Sequence, residues 1–334
     1  MNNKKITFTD LKNKVVLITG GTGSFGKNFS KFLLKNTPIK KLIIFSRDEQ
    51  KHFDMAREIN DKRIRFFVGD IRDYQRLLLA TREVDIIIHA AAMKHVPISE
   101  YNPMECIKTN INGTDNVINS AIQNKVNKVL ALSTDKAVNP INLYGSTKLA
   151  ADKLIVAANN LSGNIKTVFS IVRYGNIISS KGSVIPMYKK MIENGEKILP
   201  LTDKNMTRFL MKLDEATKFV MFSLSNMKGG EVFIPKLPSV RILNIIKVLG
   251  CKPKLVGIRP GEKLFETLCP KELSFDTIEF KSFFCIKPNL IFGSKRNYLT
   301  YKNEVGTKVD KNFSYDSSNN KDFIDNVHLK RLLK

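Results

Sequence analysis

Short apolar runs alternate with longer amphipathic stretches along the first half of the chain. The apolar runs are rich in β-branched residues and predict six strands, at residues 15–19, 41–45, 64–68, 85–89, 128–133 and 167–172. Helices are predicted at residues 24–35, 73–82, 105–123 and 144–159. Two runs, 15–18 and 86–88, are apolar at every position, which is typical of parallel strands covered by helices on both faces. The alternation therefore predicts an α/β fold with a doubly wound parallel sheet.

A glycine-rich segment, TGGTGSFG at residues 19–26, joins the first predicted strand to the first predicted helix. Glycine lets the backbone approach a phosphate closely, and the free N–H groups of the following helix attract the negative charge. A tight structural turn has the same composition, but the place of this segment within a βαβ unit favours a dinucleotide. We assign cofactor contacts here to Gly20, Thr22, Gly23, Ser24, Phe25 and Gly26. The sheet is therefore predicted to be of the Rossmann type.

The end of the second strand, about 20 residues beyond the last glycine, distinguishes NAD from NADP. Ser46 and Arg47 offer a hydroxyl and a guanidinium to a 2′-phosphate, although Asp48 follows one residue later as a possible partner for an NAD ribose. We predict NADP. The remaining predicted cofactor contacts are Glu49, Gln50, Lys51, Asp70, Ile71, Ala90 and Lys94, together with Tyr144 and Lys148.

Polar side chains with acid–base chemistry follow the fifth predicted strand. Tyr144 and Lys148 stand at i and i+4, so they share one face of the next helix. We expect the Lys148 ammonium to lower the pKa of the Tyr144 phenol and make it a usable base. Thr134, Asp135 and Lys136 complete the predicted catalytic group, against the alternative of an exposed ion pair in a loop.

Composition narrows the class of protein. The chain has 334 residues and is 43% hydrophobic, enough for a substantial core. It contains no apolar run near the roughly 18 residues of a membrane span, and residues 1–14 lack the apolar core of a signal peptide. The four cysteines form no CxxC pair, so neither disulfides nor a metal site are predicted. We expect a cytoplasmic protein without a membrane partner.

The net charge of +24 favours anionic partners. The lysines are spread along the chain, and no nucleic-acid-binding signature accompanies them. We therefore predict no nucleic-acid partner, while a lysine-rich surface would also attract a diphosphate substrate.

The chain resembles the extended short-chain dehydrogenases through TGGTGSFG, HAAA at residues 89–92 and YGSTK at residues 144–148. More narrowly, it resembles the inverting UDP-N-acetylglucosamine 4,6-dehydratases that begin pseudaminic acid biosynthesis for flagellin glycosylation. The matching segments are residues 95–97, 100–103, 132–137, 139–145, 173–176 and 257–263, which span nearly the whole chain. Asp135-Lys136 is the discriminating feature, since the retaining dehydratases carry Asp-Glu there.

The resemblance implies a hydro-lyase reaction on UDP-N-acetylglucosamine that regenerates its NADP. Tyr144 would take the 4-hydroxyl proton, with Thr134 bonded to that hydroxyl, while hydride leaves C4. Lys136 would then remove the C5 proton and Asp135 would protonate the departing 6-hydroxyl, before hydride returns to C6 and C5 is reprotonated with inversion. A base role for Lys136 requires a depressed pKa, for which Lys148 and Lys94 are expected to supply cationic neighbours.

In the second half of the chain the regular alternation gives way to shorter predicted elements rich in Gly and Pro. We interpret residues 1–175 as the cofactor-binding domain with the catalytic residues, and residues 176–334 as a smaller substrate-binding lobe interleaved with it. By resemblance, the UDP-sugar contacts are Lys94, Asn176, Lys181, Arg208, Arg259 and Glu262. The relatives form homo-oligomers, which implies a dimer at least, with a hexamer also open.

Two other functions stay open at this point. A UDP-sugar 4-epimerase would share the fold and the cofactor, and Asp135-Lys136 argues against it. A non-catalytic NADP-binding regulatory protein would have no need of the Tyr144/Lys148 pair.

Overall fold

The computed structural model describes residues 11–163, 167–178, 182–289 and 296–333. Its strands in chain order are β1 (Val15–Thr19), β2 (Lys41–Ser46), β3 (Ile64–Val68), β4 (Ile86–His89), β5 (Lys128–Thr134), β6 (Val168–Tyr174), β7 (Asn176–Ile177), β8 (Ile198–Leu201), β9 (Thr207–Met211), β10 (Val232–Pro235), β11 (Ser239–Arg241), β12 (Lys252–Leu255), β13 (Thr267–Cys269), β14 (Thr277–Glu279), β15 (Phe283–Ile286), β16 (Thr300–Tyr301), β17 (Glu304–Val305), β18 (Thr307–Lys308) and β19 (Tyr315–Asp316). Its α-helices are α1 (Ser24–Asn36), α2 (Glu49–Glu58), α3 (Tyr74–Ala80), α4 (Val96–Tyr101), α5 (Pro103–Ile107), α6 (Gly113–Gln123), α7 (Leu143–Leu161), α8 (Val184–Glu193), α9 (Leu213–Asn226), α10 (Ile242–Val248) and α11 (Asn326–Leu333).

A ten-stranded sheet in the order β18-β14-β15-β10-β6-β5-β4-β1-β2-β3 forms the centre of the molecule. Strands from β3 to β10 in this order are paired in parallel, whereas β15, β14 and β18 add an antiparallel edge. The chain runs outward from β1 to β3 and then returns to β4, so the strand order reverses between β1 and β4. This confirms the predicted doubly wound α/β fold and places a crevice at the carboxyl ends of these strands.

Every residue of β1 is buried, which agrees with its uninterrupted apolar sequence and with helices on both faces. The predicted strands at 15–19 and 64–68 agree with the structure to the residue. Helix α2 was not predicted, because only His52 and Met55 of its ten residues are buried and the remainder is polar. Its start is marked by Asp48, whose side chain accepts a hydrogen bond from the Lys51 amide as the N-cap.

The predicted continuous helix at 105–123 is wrong in its middle, where Lys108–Asn112 forms a π-helical turn between α5 and α6. Asn110 in this turn donates from Nδ2 to the Met93 carbonyl at 2.9 Å and accepts from the Met93 amide at 2.8 Å. A π-turn often marks a functional site, and here it holds the segment that follows β4.

The second half of the chain contributes to two cores. Strands β10, β14, β15 and β18 join the central sheet. A smaller core forms around Leu199, Leu201, Ile245, Ile246 and Leu329, contributed by β8, α10 and α11. Strand β7 follows directly after β6 and pairs with β9. This pairing places the smaller unit beside the carboxyl end of β6.

Among the residues that the structure describes, no helix is long and apolar enough to cross a bilayer. Nor does this part of the chain gather three His, Cys, Asp or Glu side chains that could hold a metal ion. The four cysteines are free.

Candidate active site

The glycine turn after β1 leaves no space for larger side chains. Gly20 has φ +64°, and a Cβ there would lie 2.8 Å from the Ala91 Cα. A Cβ on Gly26 would lie 2.5 Å from the Gly21 carbonyl oxygen. Helix α1 begins at Ser24 with Gly23 as an N-cap that supplies no side-chain hydrogen bond. The turn therefore leaves the positive end of α1 open toward the crevice, as a pyrophosphate would require.

A buried histidine that sequence reasoning did not single out braces this turn. Thr114 donates its only hydroxyl proton to the Asn110 carbonyl at 2.6 Å, so it accepts from His89 Nε2 at 3.1 Å. His89 Nδ1 therefore accepts from the Thr19 hydroxyl at 2.7 Å. Burial and the charge of Lys148 lower the pKa of His89 to about 3, so its imidazole is neutral. The Thr19 oxygen in turn accepts the amides of Ala90 and Ala91, which fixes the backbone beside Gly20.

The predicted 2′-phosphate site lies at the end of β2. The hydroxyls of Thr22 and Ser46 are hydrogen-bonded at 2.8 Å. Arg47 is largely exposed, with Nη1 3.9 Å from Asp70 Oδ2. Asp48 accepts from both the amide and the ammonium of Lys51, so its carboxylate is already engaged.

The other predicted cofactor residues lie around the same edge. Burial would raise the pKa of Asp70, but the hydrogen-bonded guanidinium of Arg72 holds it below its usual value. Ile71 is buried, and a Cβ on Gly113 would lie 2.6 Å from its Cδ1. The first turn of α2 carries Glu49, Gln50 and Lys51, and the segment after β4 carries Ala90 and Lys94.

The predicted catalytic residues come together where β5 ends and α7 begins. Thr134 is the last residue of β5, and Asp135–Ala137 forms a single 3-10 turn. Asn142 caps α7 by accepting from the Gly145 amide at 2.8 Å. Thr134 Oγ1 donates to Asp135 Oδ1 at 3.0 Å. The short turn thus brings a hydroxyl, a carboxylate and an ammonium close enough in space to influence the Tyr144 phenol.

Tyr144 and Lys148 are both buried on α7, but the predicted effect of one on the other is wrong. Burial raises the pKa of the Tyr144 phenol to about 12, while Lys136 and a hydrogen bond with Thr134 oppose the rise. Lys148 instead donates from Nζ to the Leu132 carbonyl at 2.9 Å. Burial lowers the pKa of Lys148, and the Asp152 carboxylate opposes that effect. Lys136 therefore provides the cationic influence on the phenol.

The surroundings of Lys136 also differ from the prediction, because its close charged partners are carboxylates. Its Nζ lies 3.2 Å from Asp135 Oδ1 and 3.2 Å from Glu266 Oε1. Burial lowers the pKa of Lys136, but these two carboxylates outweigh that effect and hold it above its ordinary value. Glu266 was missed by sequence reasoning, although it stands three residues after the segment 257–263 that carried the resemblance.

The predicted substrate-binding residues differ in burial and in their hydrogen-bond partners. Arg208 is buried and donates to the carbonyls of Thr207, Lys263 and Leu264 at 2.7, 2.9 and 3.1 Å, so its guanidinium holds the protein backbone. Arg259 is exposed, and Glu262 accepts from the Thr202 hydroxyl at 3.0 Å.

Asn176 lies in β7 directly after Gly175, beside the turn at Asp135–Ala137. A Cβ on Gly175 would lie 3.5 Å from Asp135 Oδ2. Lys181 lies outside the described residues.

Three side-chain oxygens around the turn at Asp135–Ala137 are buried without a hydrogen-bond partner: Asp135 Oδ2, Asn176 Oδ1 and Glu266 Oε2. Buried acceptors of this kind are costly unless a ligand or water satisfies them. Their arrangement around Lys136 therefore indicates a site built for a polar molecule.

The fold, the glycine turn and the Tyr144/Lys148 pair together define an extended short-chain dehydrogenase. The chain belongs to the polysaccharide biosynthesis protein family, whose model matches residues 16–288.

The similar proteins span nearly the whole chain. A UDP-N-acetylglucosamine 4,6-dehydratase (inverting) from Campylobacter jejuni subsp. jejuni is 53% identical over 311 residues, covering 92% of this chain and 93% of the relative. A UDP-glucose 4-epimerase from Rickettsia typhi is 40% identical over 318 residues, covering 92% of each chain. The X-ray structure of Pen from Bacillus thuringiensis has a TM-score of 0.88 at 38% identity, covering 97% of this chain and 98% of that one.

Proposed function

We propose that this protein is an NADP-dependent, C5-inverting UDP-N-acetylglucosamine 4,6-dehydratase. The observation that carries the proposal is Lys136 beside Asp135 at the end of β5, next to the buried Tyr144. The 53% identity to the Campylobacter jejuni enzyme of that name supports the same assignment. The reaction would remove one water from the sugar and leave a 4-ketone, a C6 methyl group and an inverted C5.

Tyr144 and Thr134 would handle the 4-hydroxyl. Burial raises the pKa of the phenol, and the nearby Lys136 ammonium and the hydrogen bond with Thr134 oppose that rise and favour the phenolate. Tyr144 would accept the hydroxyl proton, and Thr134 would orient the oxygen. A bound nicotinamide supplies the hydride acceptor at C4 and the hydride donor at C6. Lys148, held by the Leu132 carbonyl, lies at the adjoining strand end.

Asp135 and Lys136 would carry out the elimination between C5 and C6. Transfer of one proton from the ammonium to the carboxylate, across 3.2 Å, converts the resting ion pair into a neutral amine and a carboxylic acid. The amine would take the proton from C5, and the acid would give its proton to the departing 6-hydroxyl. The C5–H electron pair then forms the C5–C6 double bond as water leaves. The C5 proton restores the Lys136 ammonium, so the ion pair returns to its resting state. The proton taken by Tyr144 equals in number the one that C5 receives on its opposite face, so protons balance over the cycle.

The preference for NADP rests on the end of β2. Arg47 is exposed and Ser46 is bonded to Thr22 of the glycine turn, so both flank the predicted ribose site. The Asp48 carboxylate, the group that would accept an NAD ribose hydroxyl, is engaged by Lys51. The tight approach at Gly20 and Gly26 and the uncapped start of α1 fit a dinucleotide pyrophosphate.

The substrate contacts are part of the proposal. Asn176, with its unpartnered buried oxygen beside Asp135, would bind the sugar. Arg259, Lys94 and Lys181 would serve the diphosphate, and Glu262 the nucleotide. For Arg208 we propose an indirect role, since its guanidinium is bonded to the backbone that carries Lys263 and Leu264.

The biological setting belongs to the same proposal. The first step of a pseudaminic acid-type surface glycan, such as one used for flagellin glycosylation, would require this product. A homo-oligomer is supported by the exposed apolar side chains of Ile98, Tyr101 and Met104 on α4 and α5. The cytoplasm is the proposed location, because nucleotide sugars and nicotinamide dinucleotides are cytoplasmic metabolites.

A 4-epimerase is the second candidate, favoured by the 40% identity to the Rickettsia typhi protein. The test is an NMR time course of the purified protein with UDP-N-acetylglucosamine and NADP⁺ in D₂O. A C6 methyl signal with deuterium at C5 and L-arabino couplings is expected. Formation of UDP-N-acetylgalactosamine without a methyl signal would establish the epimerase instead. An unchanged spectrum with bound cofactor would contradict both.

A further inference from the structure

The segment from Gly261 to Glu266 reaches from the second half of the chain to the catalytic turn. Asn142, the N-cap of α7, donates from Nδ2 to the Gly261 carbonyl at 2.8 Å. Lys263 donates from Nζ to the Val138 carbonyl at 2.6 Å. Arg208 holds the intervening carbonyls of Lys263 and Leu264. These bonds fix the segment on both sides and bring the Glu266 carboxylate to Lys136.

The Glu266 carboxylate is buried, and its backbone is fixed by hydrogen bonds to Ser317. The Glu266 side chain is 3% exposed, and that of Asp135 is 1% exposed. Its amide donates to the Ser317 hydroxyl at 3.0 Å, and its carbonyl accepts from the Ser317 amide at 2.8 Å. A buried carboxylate costs stability unless it is paired, and Glu266 Oε1 lies 3.2 Å from Lys136 Nζ and 3.9 Å from Arg208 Nε. The charged or titratable groups that surround Lys136 are Asp135, Glu266, Arg208, Tyr144 and Lys263.

The proposed elimination requires two counterions for Lys136. Asp135 Oδ1 already accepts from Thr134 and from Lys136. When Asp135 carries the proton destined for the 6-hydroxyl, it is neutral and no longer balances a positive charge. Lys136 becomes an ammonium as it takes the C5 proton, before Asp135 has given its own proton to the 6-hydroxyl. Glu266 is then the carboxylate left at hydrogen-bond distance from the new charge.

We propose that Glu266 is a positioning residue for this reaction, which holds Lys136 against the C5 proton and stabilises the ammonium formed there. The inference rests on the proposed dehydratase function. In this proposal the proton affinity of Lys136 depends on Glu266, a carboxylate from the second half of the chain. The step itself is balanced: the C5 proton moves to the amine, and the C5–H electron pair forms the double bond as the protonated hydroxyl leaves.

The test compares Glu266→Gln with the wild type in the complete enzyme. We expect kcat to fall by about 100-fold, the lower end of what a general base contributes, with KM nearly unchanged. The isotope effect on kcat from deuterium at C5 should increase, because C5 proton removal becomes slower relative to the other steps. The pH profile limb that depends on Lys136 should shift downward by about one unit, since a nearby opposite charge has been removed. Glu266→Asp should restore part of each change.

Glu231→Gln is the matched control, because Glu231 is also a buried glutamate, bonded to Ser170 near the start of β10. It should lower the melting temperature and leave the isotope effect and pH profile as in the wild type. If Glu266→Gln does the same, the positioning role is wrong. If Glu266→Gln does not fold, Glu266→Asp decides, and a wild-type isotope effect there overturns the inference. Failure of the wild type to label C5 would instead reject the proposed function itself.

Discussion

Arg173 Nη2 lies 3.1 Å from Asp152 Oδ2, and this buried ion pair lies one turn of α7 beyond Lys148. The same Asp152 oxygen accepts from the Ser133 hydroxyl at 2.7 Å, and Arg173 also donates to the Leu268 carbonyl at 3.2 Å. The pair thus joins β5, β6, α7 and β13. Asp152 also raises the pKa of Lys148 against the effect of burial. The Asp152 carboxylate therefore both joins these elements and favours the charged form of Lys148.

Removal of the Asp152 charge should therefore be costly. We expect Asp152→Ala to lower the free energy of unfolding by about 3–5 kcal/mol, because Arg173 remains as an uncompensated buried charge. The measurement is urea unfolding. Glu279→Ala provides the control, since its pair with Lys236 is solvent-exposed and should be worth under about 1 kcal/mol. Equal losses in the two variants would contradict the assignment.

His89 should make stability depend on pH. Its pKa is about 3 in the folded protein and 6.5 for an unperturbed histidine, so between these values the unfolded chain binds more protons. Stability should therefore be fully present above pH 6.5 and decrease as the pH falls, by at most about 1.4 kcal/mol per unit from this residue. Urea unfolding at several pH values should give a steeper acid loss for the wild type than for His89→Gln. Parallel curves would show that His89 does not titrate in this window.

The glycine turn offers a test of cofactor binding with a matched control. Gly20→Ala should greatly weaken cofactor binding, because its Cβ would lie 2.8 Å from the Ala91 Cα. Gly195 also has a positive φ, but a Cβ there meets nothing within 4 Å. Gly195→Ala should therefore show only the cost of backbone strain, about 1 kcal/mol of stability. Titration with NADP⁺ distinguishes the two, and equal affinity in both variants would show that the turn is not the cofactor site.

The choice between NADP and NAD should depend on Arg47. We expect Arg47→Ala to weaken NADP⁺ binding by about tenfold or more and to leave NAD⁺ binding unchanged, because a charged hydrogen bond is worth roughly 1.5–3 kcal/mol. Arg57→Ala, on the exposed face of α2, should change neither. Equal losses of both cofactors in Arg47→Ala would argue against a 2′-phosphate contact.

Lys136→Gln should stop the proposed reaction after the first oxidation. Tyr144 and Thr134 remain in this variant, so the 4-hydroxyl proton can still be taken, but more slowly, because the Lys136 charge no longer favours the phenolate. C5 keeps its proton. The near-ultraviolet absorbance of reduced nicotinamide should therefore appear when substrate is added to the oxidised holoenzyme. Tyr144→Phe should give no such signal. Normal methyl product from Lys136→Gln would assign the C5 base to another group.

Much of the site was predictable because its signals are local. Tyr144 and Lys148 share a face of α7, and the glycine turn lies between β1 and α1, so spacing alone predicted both. The π-turn at Lys108–Asn112 was not predictable from periodicity, because one extra residue per turn is decided by packing and by the Asn110 contacts with Met93.

The sequence by itself determined the doubly wound sheet, the dinucleotide turn and the identity of the residues at the end of β5. These properties depend on apolar periodicity and on neighbouring residues. Only the tertiary structure decided the charge environment of Lys136, which the sequence had suggested would be cationic. Charges interact through space and not along the chain, and Glu266 reaches Lys136 only because Arg208, Lys263 and Asn142 hold its segment there. The proton affinity of the proposed base is therefore a property of the folded protein.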